Sequence, residues 1–129
     1  MAEMKTRAVP LKTAPKSKQV TVKMTSDLKD ALPMSILNDG YNMREKSKWV
    51  VEAIKSLLSN DTWEGALLSE VSTKPDSKDV FRIPSDVLTI INKEAARVSM
   101  DDPSLKANQS SIIRAAINRR LMGFFKNAS

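Results

Sequence analysis

Two stretches of the chain share one pattern of hydrophobic and polar positions. Residues 20–28 (VTVKMTSDL) and 81–87 (FRIPSDV) both alternate apolar and polar side chains and then continue through Ser-Asp into an apolar residue. Alternation with a period of two is typical of a strand, and Ser-Asp is typical of a helix start. The pattern predicts two strands, at 18–24 and 78–83, that each lead directly into a helix.

Apolar residues at helical spacing predict four helices, two after each strand. We expect them at 26–38, from about 46, at 85–98, and from the end of a loop at Asn108. Pro33 should kink or split the first, because proline removes a backbone donor. The predicted inward residues are Leu28, Leu32 and Ile36; Trp49, Val50, Ala53, Ile54, Leu57 and Leu58; Val87, Ile90, Ile91, Ala95 and Val98; and Ile112, Ile113, Ala116, Ile117 and Leu121.

The repeat of strand, helix and helix is simplest to explain as an internal duplication. We expect a flexible basic arm at 1–17, a first copy at 18–59, a linker with a short helix at 60–77, a second copy at 78–122 and a tail at 123–129. The arm either solubilises the protein or contacts a phosphate backbone. Trp63 in the linker either covers an end of the core or stacks on a ligand.

A single copy cannot bury its apolar faces, and a lone strand leaves its backbone groups unpaired. Pairing the two strands antiparallel would give one ribbon, beneath which four helices close a common core. The predicted fold class is therefore mainly α with one two-stranded antiparallel ribbon. In this prediction the tandem copies form an intramolecular pseudo-dimer.

Composition narrows the classes of function. The 129 residues are 41% hydrophobic and 28% charged, which is ordinary for one globular domain. The absence of cysteine and histidine excludes disulfides, thiol chemistry and histidine-based acid-base catalysis. No catalytic, metal or cofactor cluster stands out, so we do not expect an enzyme. No apolar run approaches the ~18 residues of a membrane helix, which predicts a cytoplasmic protein. The net charge of +6 favours a polyanionic partner.

The two strand-to-helix junctions and the paired helices resemble the ribbon-helix-helix fold of the MetJ/Arc type. The resemblance covers 18–59 and 78–122, and two copies in one chain are similar to the TraY-type proteins of conjugative plasmids. Pro33 and Asp79 depart from the family pattern. The resemblance implies a bacterial DNA-binding protein: a repressor, or an accessory protein at the transfer origin of a mobile element. Its partners would be double-stranded DNA, a relaxase, or further copies on adjacent sites.

A second class remains open, that of an antitoxin which binds DNA and also a toxin. The residues after Gly123 are too few for an extended wrap around a partner. Phe124 and Phe125 are enough for a small contact, or they cover the core.

The outward face of the predicted ribbon carries the candidate base contacts. A two-stranded ribbon fits the major groove, where arginine or lysine reads guanine, glutamine reads adenine, and Thr or Val contacts a thymine methyl. The alternative is an ordinary solvated face. Because the two strands differ, we expect an asymmetric DNA site. The predicted base contacts are Gln19, Thr21, Lys23, Lys78, Val80 and Arg82.

Phosphate contacts are expected at the start of the second helix of each copy, where free amides and a partial positive charge favour anions. For the serines the alternative is helix capping, and one serine can do both. The predicted phosphate contacts are Lys46, Ser47 and Lys48, and Gln109, Ser110 and Ser111.

Overall fold

A computed structural model describes residues 16–71 and 74–123. The structure is mainly helical (66%) with one two-stranded antiparallel sheet. Along the chain lie β1 (Ser17–Met24), α1 (Ser26–Asn38), α2 (Lys46–Leu58), β2 (Ser77–Pro84), α3 (Ser85–Asp101) and α4 (Gln109–Leu121). Three short 3-10 helices, Met43–Glu45, Trp63–Glu70 and Pro103–Leu105, join them.

Local chemistry explains why each strand runs into a helix. The Thr25 side chain caps α1 by accepting a hydrogen bond from the Leu28 amide at 3.2 Å. Pro84 occupies the cap position of α3, where its missing N–H is no loss. The expectation that Pro33 splits the first helix is wrong, because α1 continues through it to Asn38. Pro33 is exposed, and its ring removes only one hydrogen bond from the helix.

β1 and β2 pair antiparallel, with Val20 opposite Phe81 and Thr21 opposite Val80. Alternate side chains point into the protein, and Phe81 and Val22 are at most 1% exposed. The four α-helices pack beneath this inner face in one hydrophobic core. Burial on α3 differs from the prediction at two positions: Leu88 is buried, whereas Ile90 is 50% exposed.

The predicted tandem organisation is wrong. The described residues contain one ribbon and not two tandem ribbons, so no intramolecular pseudo-dimer of complete ribbon-helix-helix copies is formed. Each half contributes one strand, and neither strand has a second partner in its own half. The similarity of 20–28 and 81–87 reflects the same local strand-to-helix chemistry at the two junctions.

The segment expected as a linker contributes to the core. In the 3-10 helix Trp63–Glu70, Trp63 is 4% exposed and Leu67 is fully buried. The Trp63 indole donates a hydrogen bond to Glu94 on α3 at 3.0 Å. Glu70 is also buried and forms an ion pair with Arg114 on α4 at 2.9 Å. Through these contacts the segment packs against α3 and α4 of the second half.

Some predictions lie outside the described residues. These are the arm through residue 15 and the tail from residue 124, including the contacts considered for Phe124 and Phe125. Within the described part of the chain, no helix combines the length and apolar character that crossing a bilayer requires.

Candidate nucleic-acid interface

The outward face of the ribbon brings the six predicted base contacts together. The strand register places Gln19 opposite Arg82, Thr21 opposite Val80, and Lys23 opposite Lys78, and all six side chains are exposed. At ~3.4 Å per residue, the stretch from position 19 to position 23 is about 14 Å long. The six side chains therefore form one compact patch, two strands wide, which we call the ribbon face.

All the charged side chains of the ribbon face are positive. It carries Lys23, Lys78 and Arg82, and the outward positions of the described strands contain no carboxylate. Like charges placed directly opposite one another in an antiparallel pair are destabilising, and Lys23 lies opposite Lys78. An anionic ligand over this end of the face would remove that repulsion. Val80, 37% exposed at the centre of the face, adds an apolar surface.

Both ends of the ribbon are fixed by hydrogen bonds to the rest of the chain. At one end the Arg114 guanidinium donates to the Lys23 carbonyl at 2.8 Å, and the Ser26 amide donates to Asp76 at 2.8 Å. At the other end the Ser85 amide donates to the Lys16 carbonyl at 2.6 Å. Because Arg114 is itself paired with Glu70 and only 9% exposed, the ribbon face rests on a rigid support.

The start of α2 lies against the free edge of β2. The Ser47 hydroxyl accepts a hydrogen bond from the Arg82 amide at 2.8 Å, which satisfies a donor that a lone edge strand would leave unpaired. The Lys46 ammonium forms an ion pair with Asp79 at 2.9 Å. Lys48 is exposed and lies 5.9 Å from the Tyr41 ring centre. The structure thus places Lys46 and Ser47 of the first predicted set beside β2, where both already have partners, whereas Lys48 lies near Tyr41.

The start of α4 lies near β1, on the opposite flank. Ser111 is 3% exposed and completes a capping box, accepting from the Asn108 amide at 2.9 Å and donating to the Lys106 carbonyl at 3.2 Å. It therefore caps the helix and does not reach the surface. Gln109 and Ser110 are half-buried, and Gln109 reaches the groove described next.

An open groove of about 410 Å³ separates this helix start from β1. Its lining includes one cation and several hydroxyl and amide groups, and none of the described lining residues is acidic. Sequence reasoning did not identify Lys18, Thr89 or Asn92 as parts of a site. A signal existed on α3, where polar residues at 85, 89 and 92 follow helical spacing. The lining residues are Lys18, Gln19, Val20, Thr21, Ser85, Leu88, Thr89, Asn92 and Gln109.

Arg120, near the end of α4, lies away from this surface. Its guanidinium contacts Asp39 at 3.3 Å and is 4.7 Å from the centre of the Trp49 ring. It joins the ends of α1 and α2 to α4 and so has a role in packing. Elsewhere in the described residues, no three acidic side chains come together in a way that could hold a metal ion.

The positive side chains of the ribbon face are spread along the ribbon. This arrangement suits a polyanion with a repeating backbone better than a small molecule. Comparison with known proteins gives no independent indication of a ligand. No protein-family model, no curated protein and no solved structure matches the chain.

Proposed function

We propose that this protein binds double-stranded DNA by inserting its ribbon face into the major groove. The observation that carries the proposal is the ribbon face itself, with three cations, an amide and two methyl-bearing side chains on a rigid two-stranded element. A two-stranded ribbon has the width of the major groove, and the edges of the bases there offer a distinct pattern for each base pair.

The side chains of the ribbon face divide into two chemical roles. Arg82 is suited to donate to guanine and Gln19 to pair with adenine, while the methyl groups of Thr21 and Val80 suit a thymine methyl. A twofold rotation about the centre of the ribbon would place Thr21 on Val80 and Gln19 on Lys78, so it does not restore the same surface. One molecule should therefore read an asymmetric sequence.

Phosphates on either side of the ribbon would contact its flanks. Lys18 and Gln109 line the groove beside β1, and Lys46 lies beside β2. Such contacts fix the register of a protein on DNA without reading its sequence. The resemblance of both strand-to-helix junctions to the ribbon-helix-helix family supports the same mode of binding. On that resemblance alone, we place the protein as a repressor or as a transfer-origin accessory protein of a mobile element.

The test begins with selection of bound fragments from random duplex DNA, followed by titration of the selected site. Arg82→Ala should weaken binding to that site by about 1–3 kcal/mol and relax the preference at one base pair. Lys55→Ala is the matched control, because it removes a cation from the exposed far end of α2. Footprinting of one bound molecule should show an asymmetric site. Failure to enrich any sequence, or equal binding by the two variants, would overturn the proposal.

A further inference from the structure

We propose that Asp79 limits the hold of the protein on the DNA backbone by neutralising Lys46, so that the flank of β2 grips phosphate less strongly than the flank of β1. This inference rests on the proposed function and adds to it a residue that sets how strongly the protein holds the DNA backbone. It follows from the position of the Asp79 carboxylate in β2 and from its ion pair with Lys46.

Asp79 occupies a position that the strand pattern reserves for an apolar residue. It lies opposite Val22, which is fully buried, and two residues before Phe81, which is 1% exposed. Its carboxylate side chain is 19% exposed. A largely buried charge is unfavourable unless it is paired, and packing alone would favour an aliphatic residue here. The carboxylate therefore calls for an explanation beyond the core.

The partner of Asp79 is the first residue of α2. The Lys46 ammonium is 2.9 Å from the Asp79 carboxylate and 5.2 Å from the centre of the Phe81 ring, with 27% of its side chain exposed. These two contacts hold the ammonium against the edge of β2. The Lys46–Asp79 pair has no net charge. The Lys46 ammonium, which would otherwise be free to bind a phosphate, is already paired with a carboxylate.

The flank of β1 has no equivalent pair. Gln109, the first residue of α4, corresponds to Lys46 and is neutral, and the groove beside it is lined by Lys18 without any acidic side chain among its described lining residues. The DNA phosphates beside β1 would meet Lys18, whereas those beside β2 would meet the Lys46–Asp79 ion pair. Non-specific affinity grows with each phosphate that a cation neutralises, whereas base contacts are unaffected. A neutralised Lys46 therefore lowers the affinity for duplex DNA of any sequence.

Four proteins test this inference: the wild type, Asp79→Asn, Lys46→Gln, and the double variant. Their net charges at this point of the flank are 0, +1, −1 and 0. Affinity for random-sequence duplex DNA is measured by fluorescence anisotropy at several salt concentrations. Asp79→Asn should bind several-fold more tightly than the wild type, with a salt dependence steeper by about 0.9 in the log-log slope. Lys46→Gln should bind more weakly, and the double variant should resemble the wild type.

Asp61→Asn is the matched control, because it removes the same charge from an exposed turn beyond the far end of α2. A tighter Asp79→Asn variant together with an unchanged Asp61→Asn variant supports the inference. If the two aspartate variants behave alike, or if Asp79→Asn and Lys46→Gln both weaken binding, the pair is only structural and the inference is wrong. Thermal unfolding of each variant shows that it is folded at the assay temperature. If Asp79→Asn is not, Asp79→Thr takes its place, because threonine is neutral and favourable in strands.

The two levels of the proposal fail differently. A wild type that binds no duplex DNA would refute the proposed function, and this inference with it. A wild type that binds DNA, with an Asp79→Asn variant no tighter than its control, would refute only the role of Asp79.

Discussion

Leu67→Ala tests whether the segment between α2 and β2 belongs to the core. Leu67 is fully buried, whereas its neighbour Leu68 is 67% exposed, so the same substitution can be made on the inner and the outer side of one 3-10 helix. Removing three buried carbon atoms loses a little over ~2 kcal/mol of transfer free energy. A partly relaxed cavity of roughly 50 Å³ adds about 1 kcal/mol. The expected loss for Leu67→Ala is therefore about 3 kcal/mol.

The assay is urea unfolding of both variants and the wild type, followed by circular dichroism and by tryptophan fluorescence. Fluorescence reports both Trp63 in this segment and Trp49 on α2, so a single fluorescence transition that coincides with circular dichroism would show that the segment unfolds together with the helices. Leu68→Ala should stay within about 0.5 kcal/mol of the wild type. In thermal unfolding, Leu67→Ala should lower Tm by about 10 °C. Equal stability of the two variants would show that the segment is a dispensable connection.

Two further predictions concern stability and pH. Ser111→Ala should lower the free energy of unfolding by about 1 kcal/mol, because the Asn108 amide loses its partner. The same variant should leave DNA affinity within twofold. A large loss of affinity in DNA titrations, without loss of stability, would contradict the capping role. The pKa of Glu94 is lowered mainly by the hydrogen bond from Arg97, against the opposing effect of burial, and Trp63 contributes a second bond. A lowered carboxylate pKa gives stability that is present above the pKa of the unfolded chain and lost as pH falls through the folded value. Glu94→Gln should therefore lower the free energy of unfolding only slightly at neutral pH, since the side chain is partly solvated. Urea titrations at acidic pH should show a smaller difference between this variant and the wild type.

Local signals in the sequence predicted the elements well, because their causes are local. The two-residue alternation before each Ser-Asp gave the strands to within one residue at each end, and α1 begins and ends where its apolar stripe predicts. The same alternation also predicted which six side chains lie on the ribbon face, whereas the register that pairs them comes from the structure.

Features that depend on distant partners could not be predicted in this way. Glu70 looks like a surface residue until α4 brings Arg114 to it from 44 positions away. The prediction of tandem copies was wrong because similar local junctions do not establish that the two segments are copies of one ribbon-helix-helix unit. At the site, the pairing of Lys46 with Asp79 joins residues 33 positions apart, and the hydrogen bond from Arg82 to Ser47 joins residues 35 apart.

The pairing of β1 with β2 also affects how the protein is made. Residues 17–24 leave the ribosome long before residues 77–84, so the first strand must wait for its partner while α1 and α2 are already able to form. During that interval the apolar face formed by Val20, Val22 and Met24 is uncovered, and β1 is an unpaired strand of the kind that promotes aggregation. The ribbon can therefore form only after residues 77–84 have left the ribosome, and a chain arrested before residue 77 would carry half of the ribbon face without its partner strand.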